Sequence, residues 1–332
     1  MGVVWEAQDE VLPRRVAVKI VGGARQADPV ALKRFRREAI SMANLSHPNV
    51  VSVYDVGQQG DASFMVMELL TGPSVAGLIT EHGRLPIDKV VHMGAQVARG
   101  LSAAHAIGIT HRDIKPGNVV QHDRVTKIVD FGIARLDSTA DAGLTSPAMA
   151  IGTAAYMSPE QARGKLVHPS SDVYSLACLL TSMLTGKPPF VDPDPIEVAR
   201  AHAVEVAKPV RQARPDVPAE LNDLIARMLL KRPADRPSAS AVAVALTRVE
   251  TLLLGLADPA SPQSPFASPA PAPQPHQVYR PFATVAQPDP VRPPRPRFQA
   301  PMPQATPELP PEPEAESPHR RRPPRAWFRR DA

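Results

Sequence analysis

Through the first seventy positions, apart from one helical stretch that opens at Asp28-Pro29, apolar residues alternate with polar ones or form short runs. Beyond that they recur every three to four positions as far as about residue 254. Val3 to Ala7 and Val16 to Val21 read as strands joined by the polar turn Gln8–Arg15. Asp28-Pro29 opens a helical pattern in which Val30, Leu32, Phe35, Ala39, Ile40 and Met42 are apolar and Lys33, Arg34, Arg36, Arg37 and Glu38 are polar; His47-Pro48-Asn49 breaks it. Val50–Val56 and Phe64–Leu70 predict a hairpin. After Gly72-Pro73 the character turns helical, with Ile87–Ile107 spaced like a long buried helix. Two short β-rich pieces follow, Val119–Gln121 and Val125–Val129, then an aperiodic, hydroxyl-rich loop, Ser138–Ile151. Asp172–Leu184 is apolar enough for a central helix, and Pro195–Val204, Glu220–Leu230 and Ala239–Leu254 are further helices. There is no internal repeat. The pattern predicts an α+β fold of two lobes, a small antiparallel β-rich lobe over 1–70 and a mainly helical lobe over 71–256.

Composition changes this picture only at the end of the chain. Of the 40 prolines in 332 residues, 22 fall in residues 257–332, together with Ala, Gln, Ser and Arg. Proline cannot donate to a helix or a sheet ladder, so this tail is expected to be disordered. Within it, Arg292-Pro293-Pro294-Arg295-Pro296 has the form of a groove-binding ligand, though a spacer is the simpler reading. The last 14 residues hold six arginines beside Trp327 and Phe328, a composition suited to weak contact with anionic lipid. The net charge of +5 is modest and sits largely there, which argues against a nucleic-acid-binding domain. The single cysteine, Cys178, excludes a disulfide framework and a Cys-based zinc site. No apolar run reaches the ~18 residues of a membrane span, and the first ten residues lack the basic start of a signal peptide, so a cytoplasmic location is expected.

The chemistry is concentrated in three separated motifs. His111-Arg112-Asp113-Ile114-Lys115-Pro116-Gly117-Asn118 comes first in weight, Asp130-Phe131-Gly132 begins twelve residues after Asn118, and Val16-Ala17-Val18-Lys19 lies upstream on a predicted strand. Their order and context match the protein-kinase signature set. Residues 1–254 thereby resemble the bacterial, eukaryotic-like (Hanks-type) Ser/Thr protein kinases.

That resemblance implies phosphoryl transfer from ATP with Mg2+, manganese being the alternative metal, to Ser/Thr hydroxyls of protein substrates. The reaction needs positioning and charge neutralisation more than covalent chemistry. Asp113 would orient the hydroxyl and accept its proton, and Lys115 would approach the transferring phosphate. Asn118 and Asp130 would hold the metal through hard oxygens. Lys19 would hold the α/β-phosphates, fixed by an ion pair with Glu38. For the adenine pocket the resemblance implies backbone groups of Glu68 and Leu70, Met67 at the back, and Val4, Ala17 and Val120 around the ring. His111 would pack beneath Phe131 rather than act as a base, with Met42 and Val53 completing the apolar stack, and Gly132 would lend flexibility. His47, His82 and His105 have no ligand-like spacing and read as structural or surface residues. Glu160 of Ser158-Pro159-Glu160 would pair with Arg236, Asp172 would cap the catalytic-loop backbone, Thr153 would bond Asp113, and Cys178 would be inert core. Arg112 would meet a phosphate on the loop between Asp130 and Glu160, with Thr145 and Ser146 the phosphorylation candidates. Activation by autophosphorylation in trans would need a homodimer.

The departure from the family is at the front. Of the Gly-rich loop only the last part, Gly2-Val3-Val4, is present, and an upstream start is the expected explanation. A kinase-like scaffold with a Pro-rich interaction tail is the alternative function. A small-molecule kinase fits less well, because Gly152–Glu160 resembles a peptide platform.

Overall fold

Each predicted strand near the front has one apolar face to bury, and four of them pair to bury it. The computed structural model describes residues 3–21, 42–59, 62–131 and 154–255. Strands β1 (Val3–Gln8), β2 (Arg15–Val21), β3 (Val53–Gln59) and β4 (Ala62–Glu68) form an antiparallel sheet in the order β1-β2-β4-β3. Along β4, Ser63, Met65 and Met67 are buried while Phe64 and Val66 are half-exposed, the alternation a one-sided sheet requires. The register sets Val4 beside Lys19, Lys19 beside Met65 and Ala17 beside Met67, so Val4, Ala17, Lys19 and Met67 share one face.

The hairpin forms, but not with the bounds the pattern suggests. Val50–Val56 gives way to Val53–Gln59, and Phe64–Leu70 to Ala62–Glu68. The reason is competition for backbone bonds. Asn49 O accepts from Ile128 N at 2.9 Å and Val51 N donates to Ile128 O at 3.0 Å, so residues 49–51 pair with the helical lobe instead of with β4. At the other end, Leu69 and Leu70 leave the ladder and pack beside Ala17, Val51, Met65 and Met67.

The second lobe is built around α4 (Pro169–Thr185), buried on every side from Ser171 to Leu184. A helix apolar all round must be surrounded. Its neighbours include α2 (Ile87–Ala106), α7 (Ala219–Met228) and α8 (Ala239–Leu253), which lies along α2. Among the described residues the other α-helices are α1 (Val75–His82), α3 (Pro159–Ala162), α5 (Pro195–Val204) and α6 (Val210–Ala213). The short hairpin of β5 (Val119–His122) and β6 (Val125–Ile128) follows a 3-10 turn at Pro116–Asn118. Two glycines let α2 be approached closely. A Cβ at Gly94 would stand 2.6 Å from Leu180, and one at Gly100 would stand 2.8 Å from the Asn49 carbonyl. Asn49 also donates to Gln96 Oε1 and Thr126 O, both at 3.0 Å, which fixes the inter-lobe segment against α2 and β6. Among the described residues no helix is long and apolar enough to cross a membrane.

A buried polar knot joins α4, α5 and the segment after α7. His202 Nδ1 and Tyr174 Oη lie 3.0 Å apart, Phe190 meets the imidazole edge-on, and Lys231 Nζ donates to the His202 carbonyl at 2.9 Å. Burial, with the Lys231 charge adding to it, pulls the His202 imidazole down to about 4. The folded protein therefore leaves His202 neutral over a pH range in which the unfolded chain protonates it. Stability from this residue is present above about pH 6.5 and is lost as pH falls toward 4, on the order of 3 kcal/mol in all. In urea titrations from pH 7.5 to 4.5, the gap between wild type and His202→Gln is expected to narrow as pH falls. A gap that stays constant would place the acid sensitivity elsewhere.

Candidate active site

Asp172, in the first turn of α4, organises the backbone ahead of Asp113. Its Oδ2 accepts from His111 N and its Oδ1 from Arg112 N, each at 2.8 Å, while His105 Nε2 reaches Oδ2 at 2.8 Å. The carboxylate is almost wholly buried, so three donors offset its lost hydration. The bonds also hold an unfavourable conformation. Arg112 has φ +69° and Asp130 φ +56°, left-handed values that cost a non-glycine residue about 1–2 kcal/mol. Of the three non-glycine residues with positive φ among those described, these two sit at the motifs read from the sequence, and the third, Asp123, is in the β5–β6 turn.

His111 is fully buried, and burial pushes its imidazole below the ordinary range despite the opposing pull of Asp172. Nε2 donates to Val129 O at 3.0 Å, and Nδ1 accepts from Asp113 N at 3.2 Å. The ring lies against Phe131 with centroids 4.5 Å apart. With both nitrogens committed, the ring supports the loop and is not positioned to take up a substrate proton. Phe131 and Met42 belong to one buried cluster, and Val53 packs against it.

The polar groups ahead of this support are linked to one another. Asp113 Oδ2 accepts from Lys115 Nζ at 2.8 Å and from Asn118 Nδ2 at 3.1 Å, and the same amide nitrogen lies 2.8 Å from Asp113 O. Asn118 O accepts from Val129 N at 3.0 Å, which ties it to the residue before Asp130. Asp130 Oδ1 accepts from Lys19 Nζ at 2.7 Å. The resemblance pairs Lys19 with Glu38, which lies outside the described residues; among those described, Lys19 Nζ meets Asp130. Lys19 takes one Asp130 oxygen and Asn118 spends its NH2 on Asp113. Among the described residues no bond reaches Asp130 Oδ2 or Asn118 Oδ1, so these are the oxygens that could meet a cation. A carboxylate and an amide oxygen suit magnesium, which completes its shell with water and phosphate and needs few protein ligands. No cluster of three or more His, Cys, Asp or Glu is found among the described residues.

On the sheet side, Val4, Ala17 and Met67 flank Lys19 on one face, and Val120 is half-buried on β5. Glu68 spends its side chain on structure: Oε2 accepts from Lys127 Nζ at 2.9 Å and from Ser52 N at 3.2 Å. The neighbouring Leu70 is half-buried.

Below the loop, Arg236 grips Glu160 through Nη1–Oε1 at 2.8 Å and Nη2–Oε2 at 2.9 Å, and Ser171 Oγ donates to Oε1 at 2.5 Å. Burial works to raise the Glu160 carboxyl, but the bonds from Arg236 and Ser171 outweigh it and hold the group below its usual range. Cys178 is buried in α4, and burial pushes its thiol up, so it behaves as inert core.

Four partners are not marked as such by the sequence: His105, Lys127, Ser171 and Gln161, whose Nε2 donates to Arg112 O at 2.8 Å. For Gln161 a signal existed, since Ser158 and Gln161 have capping-box spacing. Nothing local marks His105 or Lys127. Gly2, Glu38, Gly132, Thr145, Ser146, Thr153 and the tail 257–332 lie outside the described residues.

Comparison with known proteins bears on the family and the fold. The family model described as "Protein kinase domain" matches residues 1–245. A probable serine/threonine-protein kinase of Clostridium acetobutylicum is 37% identical over 235 residues, 70% of this chain and 36% of that protein. The serine/threonine-protein kinase PknA of Mycobacterium tuberculosis is 41% identical over 254 residues, 73% of this chain and 58% of PknA. The chain thus spans between about a third and three-fifths of the length of these relatives. Among solved structures, the PknI kinase domain of Mycobacterium tuberculosis superposes with a TM-score of 0.59 at 29% identity, covering 74% of this chain and 90% of that one.

Proposed function

The chain belongs to the protein kinase domain family, and from that premise we propose that it transfers the γ-phosphoryl group of ATP to Ser/Thr hydroxyls of proteins. One observation carries the reading. Lys19 bonds Asp130, Lys115 and Asn118 bond Asp113, and the backbone bond from Val129 to the Asn118 carbonyl sets the two groups side by side, so three separate motifs come together. Asp113 accepts the proton of the substrate hydroxyl. Lys115, 2.8 Å from Asp113, offers its ammonium to the transferring phosphate. Lys19, which bonds Asp130, holds the α/β-phosphates, and Glu38 is the partner that the family resemblance assigns to it. Val4, Ala17, Met67 and Val120 enclose adenine, and backbone groups of Glu68 and Leu70 bond it. Asp130 and Asn118 would hold magnesium through their side-chain oxygens, and the ion would supply charge to offset that of the phosphates. None of these roles requires His111.

Arg112 gives the reading a regulatory side. Its Nε is buried and has no hydrogen-bond partner among the described residues. A buried guanidinium nitrogen without an acceptor suits an incoming phosphate. Phosphate on Thr145 or Ser146 supplies one, with about −1.5 to −2 charges. The direct test incubates the chain with labelled ATP, Mg2+ and a generic basic protein, then identifies the modified residues. Phosphoserine or phosphothreonine on the substrate is expected, as is phosphate on the chain at Thr145 or Ser146. ATP binding without transfer would favour the scaffold alternative.

A further inference from the structure

The peptide unit directly before Asp113 is held from both sides. Its N–H, that of Asp113, donates to His111 Nδ1 at 3.2 Å. Its carbonyl, that of Arg112, accepts from Gln161 Nε2 at 2.8 Å. The preceding N–H, of Arg112, is fixed by Asp172 at 2.8 Å. With Arg112 at φ +69°, the rotation of this one peptide plane sets the direction in which Asp113 leaves the backbone. Gln161 is thus the side chain that acts on the free end of that plane.

The amide of Gln161 is itself oriented. Its Oε1 accepts from Ser158 N at 2.9 Å, and Gln161 N donates to Ser158 Oγ at 3.3 Å, closing the capping box of α3. With Oε1 so engaged, Nε2 faces Arg112 O; a flipped amide would set NH2 against N–H and oxygen against oxygen. Glu160, the residue before, is anchored by Arg236 and Ser171, so α3 cannot follow the loop if the loop shifts. We propose that Gln161 is a positioning residue for phosphoryl transfer: it couples the segment beginning at Ser158 to the Arg112–Asp113 peptide and holds Asp113 in its working orientation. The proposal rests on the phosphotransfer reading above.

Two substitutions separate the two halves of this amide. Gln161→Glu keeps the acceptor for Ser158 N, since glutamate is the usual residue of a capping box, but loses the donor to Arg112 O. Gln161→Lys keeps a donor and loses the acceptor. For Gln161→Glu the expected result is a melting temperature near that of wild type and a kcat lower by roughly ten- to a hundredfold, the scale of a misplaced catalytic group, with KM for ATP little changed. For Gln161→Lys the order reverses, with a lower melting temperature and a kcat reduced no more than about threefold. Amide hydrogen exchange of residues 110–114, which needs no activity, is expected to speed up in Gln161→Glu only. A kcat that tracks melting temperature in both variants, or Gln161→Glu within twofold of wild type, overturns the proposal. If wild type itself transfers no phosphate, the kinase reading fails, and unchanged exchange at 110–114 in Gln161→Glu then overturns the positioning role independently.

Discussion

Replacing Asp113 with asparagine is expected to lower the rate of phosphoryl transfer by about two to four decades, the scale of a group that both orients and accepts a proton. The change is isosteric, so packing should survive it. Asp113 N still bonds His111, and its carbonyl still accepts from Asn118. What disappears is the negative charge that Lys115 and Asn118 now address, and with it any capacity to take the hydroxyl proton. The nucleotide contacts proposed for Lys19, Ala17 and Met67 lie on the sheet face and do not involve Asp113. ATP affinity and melting temperature should therefore stay close to wild type while turnover collapses. Single-turnover transfer and nucleotide titration on the same preparations check this. Turnover equal to wild type would remove Asp113 from the mechanism.

The largest effect on stability is expected at Glu160 and Arg236. Their side chains are 5% and 0% exposed, so removing either strands a charge out of water. Breaking such a pair costs about 3–5 kcal/mol, on the order of 10 °C in melting temperature for a domain of this size. The two deletions should differ with pH. In Arg236→Ala, Glu160 keeps Ser171 as a donor but loses its cation, and it can escape by taking up a proton. In wild type the Glu160 carboxyl is held below its usual range, so its contribution is present above about pH 4.5 and is lost as pH falls further. The deficit of Arg236→Ala should thus shrink as pH falls toward the carboxylate range. In Glu160→Ala, Arg236 keeps only carbonyl acceptors, Leu230, Ser170 and Lys231, and stays charged, so its deficit should hardly vary with pH. Melting curves between pH 4.5 and 8 decide it, and equal pH profiles for the two variants would contradict the account.

Much of the site was legible in advance because its parts are local words: His111 to Asn118, Asp130 to Gly132, and Val16 to Lys19 each place chemistry on a short stretch of backbone. The helix of Asp172–Leu184 was legible for a different reason, since an apolar run of that length has nowhere to go but the centre. The strand starting at Val50 was misplaced because Val50 and Val51 are as apolar as any strand residues. Periodicity cannot tell which neighbour their backbone will bond, and here the neighbour is Ile128, far along the chain.

By itself the sequence determined the lobes, the order of motifs and the residue types able to do the chemistry, because period, propensity and spacing act over a few residues. Tertiary structure alone decided the partners. Lys19 meets Asp130 across 111 positions, Asp172 meets His105 across 67, and Gln161 meets the Arg112 carbonyl across 49. Such pairings depend on how whole elements pack, and a polar side chain carries no local mark of the distant backbone group it will satisfy. The left-handed conformations of Arg112 and Asp130 follow from the same cause. Aspartate tolerates positive φ better than most residues and arginine does not, but neither requires it, and the surrounding fold, through Asp172, Gln161 and Lys19, supplies the hydrogen bonds made in that conformation.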